Sequence, residues 1–155
     1  MNPSDAATHN NRGIAYARLG RFQQAIQDYN QVLVLDPQHA SAYNNRGTAY
    51  LDLNQKMLAI EDYEAAIRID PQYGRAYNNR GTAYRGIGQY ERAVQDFDEA
   101  IRLNPEDGTA YANRALTFTY LNLDSAAQQD VERAVEAGFS RDLVQKEIEE
   151  IKALR

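Results

Sequence analysis

The chain of 155 residues has no cysteine and no tryptophan, two histidines, two methionines and four prolines, and it contains no long apolar run. Without cysteine there are no disulfides, no thiolate metal sites and no cysteine nucleophile. No stretch approaches the roughly 18 to 20 apolar residues that a membrane-crossing helix requires, and Met1–Asn11 is polar, unlike a signal peptide. The expectation is a soluble chain with no membrane partner and no address, cytoplasmic by default. Basic residues are also in deficit, 17 against 22 acidic ones for a net charge of -5, which argues against a general nucleic-acid binder that must displace counterions with a basic surface.

What is present is repetition. The run Tyr43-Asn44-Asn45-Arg46-Gly47-Thr48-Ala49-Tyr50 returns unchanged 34 residues later as Tyr77-Asn78-Asn79-Arg80-Gly81-Thr82-Ala83-Tyr84. Two looser copies flank it at the same step, His9–Tyr16 upstream and Tyr111–Phe118 downstream. A fixed period of this length overrides any element-by-element reading. It predicts four units, 6–39, 40–73, 74–107 and 108–139, followed by a last helix over 140–155, all in one domain. Within the second unit, Tyr43, Arg46, Gly47 and Tyr50 share one helical face, and Ala59, Ile60, Tyr63, Ala66 and Ile67 share another. Each unit is therefore two helices. Gly20, Asn54, Gly88 and Asn122 stand at the joints, the residue types that most readily take a left-handed conformation. The second helices stop before Asp36-Pro37, Asp70-Pro71 and Asn104-Pro105. Small residues, Gly13, Gly47, Gly81 and Ala115 facing Ala25, Ala59, Ala93 and Ala127, mark where backbones approach.

This pattern resembles the tetratricopeptide repeat family, with agreement over about residues 6 to 139. The resemblance implies an all-α, right-handed α-solenoid of four helix-turn-helix units with a C-terminal capping helix. One departure is systematic. Where the family most often has Leu before the Gly, this chain has Arg12, Arg46, Arg80 and Arg114, each followed sixteen residues later by Asp28, Asp62, Asp96 or Asp130. A packed arginine needs a carboxylate to offset its desolvation, so these pairs are expected to be structural ion pairs rather than ligand anchors.

The two ends differ. Ser140 is placed to cap the last helix, with Phe139 and Val144 as a hydrophobic staple and Leu143, Val144, Ile148 and Ile151 as its apolar stripe. Asn2-Pro3-Ser4-Asp5 falls in register with the proline turns, as the tail of a preceding repeat would. The expectation drawn from this is a chain excised from a longer protein, with its first helix lacking a stacking neighbour.

By resemblance to the family, the inner surface is lined by first helices and binds a protein or peptide in extended conformation. The candidate residues are Asn10, Asn11, Asn44, Asn45, Thr48, Leu51, Arg75, Asn78, Asn79, Thr82, Arg85, Asn113, Leu116 and Tyr120. Asn11, Asn45, Asn79 and Asn113 put a carboxamide in all four units, although asparagine is a poor helix former. A carboxamide donates and accepts at once and so suits a peptide backbone. Its structural alternative is to bridge neighbouring helices. The carboxylate clamp that some family members use for chaperone tails fails here, because its frames hold Asn10, Ile14, Asn45, Arg75 and Asn79, or Asn44, Thr48, Asn79, Thr109 and Asn113, without the paired cations. The competing function is self-assembly into homo-oligomers through exposed repeat faces. No metal-ligand cluster, phosphate-binding loop or nucleophile with a base emerges, since His9 stands in a packing column, His39 lies in a turn and Gly86-Ile87-Gly88 serves a turn. The sequence reads as a non-enzyme with no cofactor and no metal.

Overall fold

The computed structural model describes residues 5–154, and all its regular structure there is helical. The helices are α1 Ala6–Arg18, α2 Phe22–Leu35, α3 Ala40–Asp52, α4 Lys56–Ile69, α5 Gly74–Gly86, α6 Tyr90–Leu103, α7 Gly108–Tyr120, α8 Asp124–Glu136 and α9 Arg141–Lys152. The chain divides into two compact units, residues 1–79 and 80–155. Of the segment expected to continue a preceding repeat, residues 2–4 lie outside the described residues. Asp5 caps α1, accepting from the Ala7 N–H at 3.2 Å and the Thr8 hydroxyl at 3.3 Å.

The local grammar follows from turn chemistry. Gly20, Asn54, Gly88, Asn122 and Gly138 all have positive φ, between 58° and 87°. At each the helix closes with paired back-bonds, as where Gln55 N–H donates to the Tyr50 carbonyl and Asn54 N–H to that of Leu51, both at 2.8 Å. This is the left-handed closure that asparagine and glycine tolerate best. Second helices end on extended residues, Asp36 at φ -139°, Asp70 at -129° and Asn104 at -141°. Their side chains accept from Gln38, Gln72 and Glu106 N–H groups at 3.1, 3.0 and 3.3 Å, folding each proline turn back on itself.

In the first unit α1 packs on α2, α3 on α4, and α2 on α3. Its core is Ala25, Tyr29, Val32, Ala42, Ala49, Ala59, Ile60, Tyr63 and Ala66. The rings explain the glycines. A Cβ added at Gly13 would lie 2.7 Å from Tyr29 Cε1, and one at Gly47 would lie 2.8 Å from Tyr63 Cε1. In the second unit Phe97 fills the same place over Gly81. In the last repeat Val131 replaces the ring and Ala115 replaces the glycine, both fully buried.

Every arginine of the unusual column grips its aspartate with two parallel N–H donors. The distances are 2.8 and 2.6 Å for Arg12–Asp28 and for Arg46–Asp62, 2.8 and 2.7 Å for Arg80–Asp96, and 2.7 Å twice for Arg114–Asp130. A third arm reaches the preceding hairpin, with Arg46 Nη1 donating to Asn30 at 2.6 Å and Arg114 Nη1 to Asp98 at 2.5 Å. These arginines hold helices together, as the sequence implied. His9 joins the column as a partner of Asp28 at 3.1 Å.

The second unit ends on α9, whose Val144, Ile148 and Ile151 pack with Leu116, Val131 and Ala134, and with Phe139 beside them. Two details differ from expectation. Ser140 makes no side-chain cap, although its backbone is extended, and Leu143 lies on the solvent side at 59% exposure. Arg141 fastens α9 instead, with two bonds to Glu132 at 2.8 and 2.5 Å. His39, in the turn before α3, caps that helix by accepting from Ala42 N–H at 3.2 Å.

Candidate functional site

In the first unit the first helices leave a cleft of about 270 Å³ lined by Ile14, Ala17, Arg18, Tyr29, Asn44, Asn45, Thr48, Ala49, Asp52, Arg75 and Asn79. Spacing brings these residues together: Asn45, Thr48 and Asp52 follow one another at three and four residues along α3, and Asn79 comes from the next first helix.

The amides form a relay. Asn79 Nδ2 donates to Asn44 Oδ1 at 2.9 Å, and Asn44 Nδ2 leans on Asn45 Oδ1 at 3.5 Å. Asn44 is buried, at 2% exposure, and acts as a strut between the other two. Its role is to orient the two amides beside it. The donor of Asn45 and the acceptor of Asn79 are left without protein partners among the described residues. Thr48 donates to the Asn44 carbonyl at 3.0 Å and accepts from the Tyr63 hydroxyl at 3.3 Å, which fixes the floor. Arg18 and Arg75 are exposed at the cleft and make no ion pair among the described residues. Asp52, which the sequence reading passed over, adds one carboxylate, held above its ordinary range by burial. Its spacing of four from Thr48 was the available signal.

The remaining candidates divide. Asn11 is exposed on α1 beside Ile14, Ala15, Arg18 and Leu19, and Leu51 is half-buried. Asn10 presents a buried Oδ1 that has no partner. Asn78 is buried. In the second unit Thr82 is half-buried, and Asn113 accepts Arg85 donors at its carbonyl and its Oδ1, at 3.1 and 3.3 Å. Leu116, expected to offer apolar contact to a ligand, is instead packed in the core against α8 and α9, because the stripe of α9 covers it. Tyr120 stays 39% exposed and stacks on Tyr90, with ring centroids 4.9 Å apart and planes 7° from parallel. Tyr90 lay beyond sequence reasoning, since nothing local ties it to Tyr120. Among the described residues no three acidic or histidine side chains gather as a metal would require, and no helix is long and apolar enough to cross a membrane.

Family comparison agrees with this fold. Tetratricopeptide repeat profiles match residues 1–40 and 10–74, and a further one matches 74–107. The chain belongs to the tetratricopeptide repeat family. Its fold is the all-α helical-repeat solenoid of that family. The tetratricopeptide chain is similar to the crystal structure of MamA, with 26% identity, a TM-score of 0.80, and coverage of 88% of this chain and 80% of that one. It is similar to MamA from residue 41 onward from Desulfovibrio magneticus RS-1, at 28% identity and a TM-score of 0.79, covering 87% and 76%. It also resembles the second TPR domain of human RPAP3, solved in complex with the HSP70 peptide SGPTIEEVD, at 29% identity and a TM-score of 0.70, covering 72% and 93%. No curated protein matches the chain.

Proposed function

We propose that the first unit holds an extended, acidic polypeptide segment by its backbone. In coarser terms the protein is an interaction scaffold, and tetratricopeptide repeats are generally non-catalytic interaction modules. The observation that carries the finer reading is the relay through Asn44. It leaves a donor on Asn45 and an acceptor on Asn79, in one cleft, facing whatever enters it. A peptide bond offers the complementary carbonyl and N–H whatever side chain it bears.

Magnitudes favour an acidic partner. Two neutral hydrogen bonds contribute about 2 kcal/mol net, against the roughly 8 kcal/mol that micromolar binding requires. Charge-assisted bonds from Arg18 and Arg75, at about 1.5–3 kcal/mol each, close most of that gap. A neutral segment would have no equivalent term. The human RPAP3 domain, which resembles this chain, was solved with the acidic peptide SGPTIEEVD; because the clamp frames here lack their paired cations, that tail is not the expected partner.

The test is panning of a displayed random dodecapeptide library on the intact chain, followed by titration of the selected peptides. Asn45→Ala with Asn79→Ala should weaken binding about thirtyfold, two bonds' worth, and leave the circular dichroism spectrum unchanged. Selected peptides that bind the double variant as tightly as the parent would refute the reading.

Self-assembly is favoured by one observation. On α1, Ala15 is exposed and Leu19 is 69% exposed, whereas Ala49 in the matching column is buried. Light scattering over a hundredfold range of concentration separates the two readings. Growth in mass that Leu19→Glu abolishes supports the second.

A further inference from the structure

Arg85 lies on α5 at a position where the other repeats carry Ala17, Leu51 and Thr119. It is half-buried, and burial holds its guanidinium below the ordinary value. Its protein acceptors are both neutral, the carbonyl and the amide oxygen of Asn113 at 3.1 and 3.3 Å. It forms no ion pair among the described residues, and three of its five N–H groups have no protein acceptor there. This contrasts with Arg80 and Arg114 of the same unit, each locked onto a buried aspartate. Burying a cation without a counter-charge is costly, and this chain elsewhere supplies an aspartate to every packed arginine of its first helices. Glu147 on α9 acts on Arg85 through space without pairing with it. Tyr120 also acts on Arg85 electrostatically, and its exposed ring stacks flat on Tyr90.

We infer that Arg85 is a carboxylate-reading subsite: it takes an aspartate or glutamate side chain of the bound polypeptide, and the Tyr90–Tyr120 stack receives an apolar neighbour of that residue. Three observations meet here. The cation is desolvated and already oriented by Asn113, so an arriving carboxylate finds a fixed fork rather than a mobile side chain. The aromatic pair supplies a flat surface next to it. Glu147 acts on Arg85 through space without occupying its donors, so its charge weakens the pull on a ligand carboxylate while leaving the fork open to it. The inference rests on the reading of these repeats as peptide-binding and adds to it a site made wholly of second-unit residues.

The experiment takes peptides selected on the wild-type chain and compares each acidic one with its Glu→Gln or Asp→Asn isostere. Wild type should prefer the acid about tenfold at one position, the difference between a charge-assisted and a neutral bond. Arg85→Gln should erase that preference while still binding the neutral isostere. Glu147→Gln, at an exposed position, should widen the preference without touching the fold. Raising salt to 1 M should compress it only modestly, since a half-buried pair is poorly screened. An acid preference that persists in Arg85→Gln overturns the inference and leaves the peptide-binding reading standing, and so does indifference to Glu147→Gln. Failure of wild type to select any peptide overturns both.

Discussion

Replacing Asp62 by Asn tests the central claim about what joins these helices. Asp62 takes two donors from Arg46, at 2.8 and 2.6 Å, with the carboxylate 7% and the guanidinium 19% exposed. Asparagine is nearly isosteric but keeps one acceptor and turns an N–H donor toward the guanidinium. One charge-assisted bond is lost, and a mostly buried cation loses its counter-ion. Breaking a buried pair in this way costs about 3–5 kcal/mol. Burial pushes the Asp62 carboxyl up against the pull of Arg46, so asparagine relieves part of a desolvation cost; Arg46 also retains its bond to Asn30 at 2.6 Å, with the Tyr43 and Tyr50 rings 5.4 and 6.0 Å from it, and the lower end, about 3 kcal/mol, is expected. For a chain of this length that lowers the melting temperature by roughly 6–12 °C. Asp28→Asn is the internal control. Arg12 is 55% exposed and can rehydrate, so although Asp28 also loses its bond to His9, the loss there is expected to be smaller. Thermal and urea unfolding followed by circular dichroism measure both, with the urea midpoint and slope fitted separately because repeat arrays depart from two-state behaviour. An Asp62→Asn chain no less stable than Asp28→Asn would refute the assignment of the column as a buried structural lattice.

Gly47→Ala should destabilise by about 1–3 kcal/mol, because its Cβ would lie 2.8 Å from Tyr63 and overpacking outweighs the roughly 1 kcal/mol gained in helix propensity; in a Tyr63→Val background, the pairing that Ala115 and Val131 already use, urea titration should find little further loss from the same change. Asp52 has a raised pKa, so its folded form holds a proton more tightly than the unfolded chain, and its contribution is present below the unfolded value of 3.8 and lost as pH rises through the folded one. Asp52→Asn should therefore melt higher than wild type at pH 7, with the gap closing below about pH 4. Glu132 is pulled down to about 2, chiefly by Arg141, from 4.5, so its contribution is present above 4.5 and lost as pH falls through about 2. Hydrogen exchange should show α9 losing protection across that window in wild type, and much less change with pH in Arg141→Ala. Asn54→Ala should cost about 1 kcal/mol in a melt, since alanine resists the left-handed backbone that Asn54 adopts at φ 58°.

Most of the fold was legible in the sequence because its devices are local and recur in register. Positive φ at Gly20, Asn54, Gly88 and Asn122, the proline turns and the sixteen-residue Arg–Asp spacing each express one short-range rule several times. The site was legible only in part. Helical spacing placed Asn45, Thr48 and Asn79 on one cleft, but it could not tell which amide spends its donor on a neighbour, because Asn79 and Asn44 lie 35 residues apart. Leu116 was misjudged because its neighbours come from α8 and α9, and Tyr90 was missed because its partner Tyr120 comes from another hairpin. Ser140 carried a capping residue's identity without making the bond. Long-range packing settles these positions, and no periodic rule encodes it.

The third arm of the arginines bears on how the chain would yield under load. Arg46 holds Asp62 within its own hairpin and Asn30 on the preceding one. Peeling α1 and α2 away breaks the bond to Asn30 while leaving the Arg46–Asp62 fork closed. Arg114 repeats the arrangement in the second unit through Asp98 and Asp130. Within each unit, tension on the outer hairpin should accordingly free that hairpin first, with Arg46 or Arg114 serving as a catch that lets go of one neighbour before its own hairpin opens.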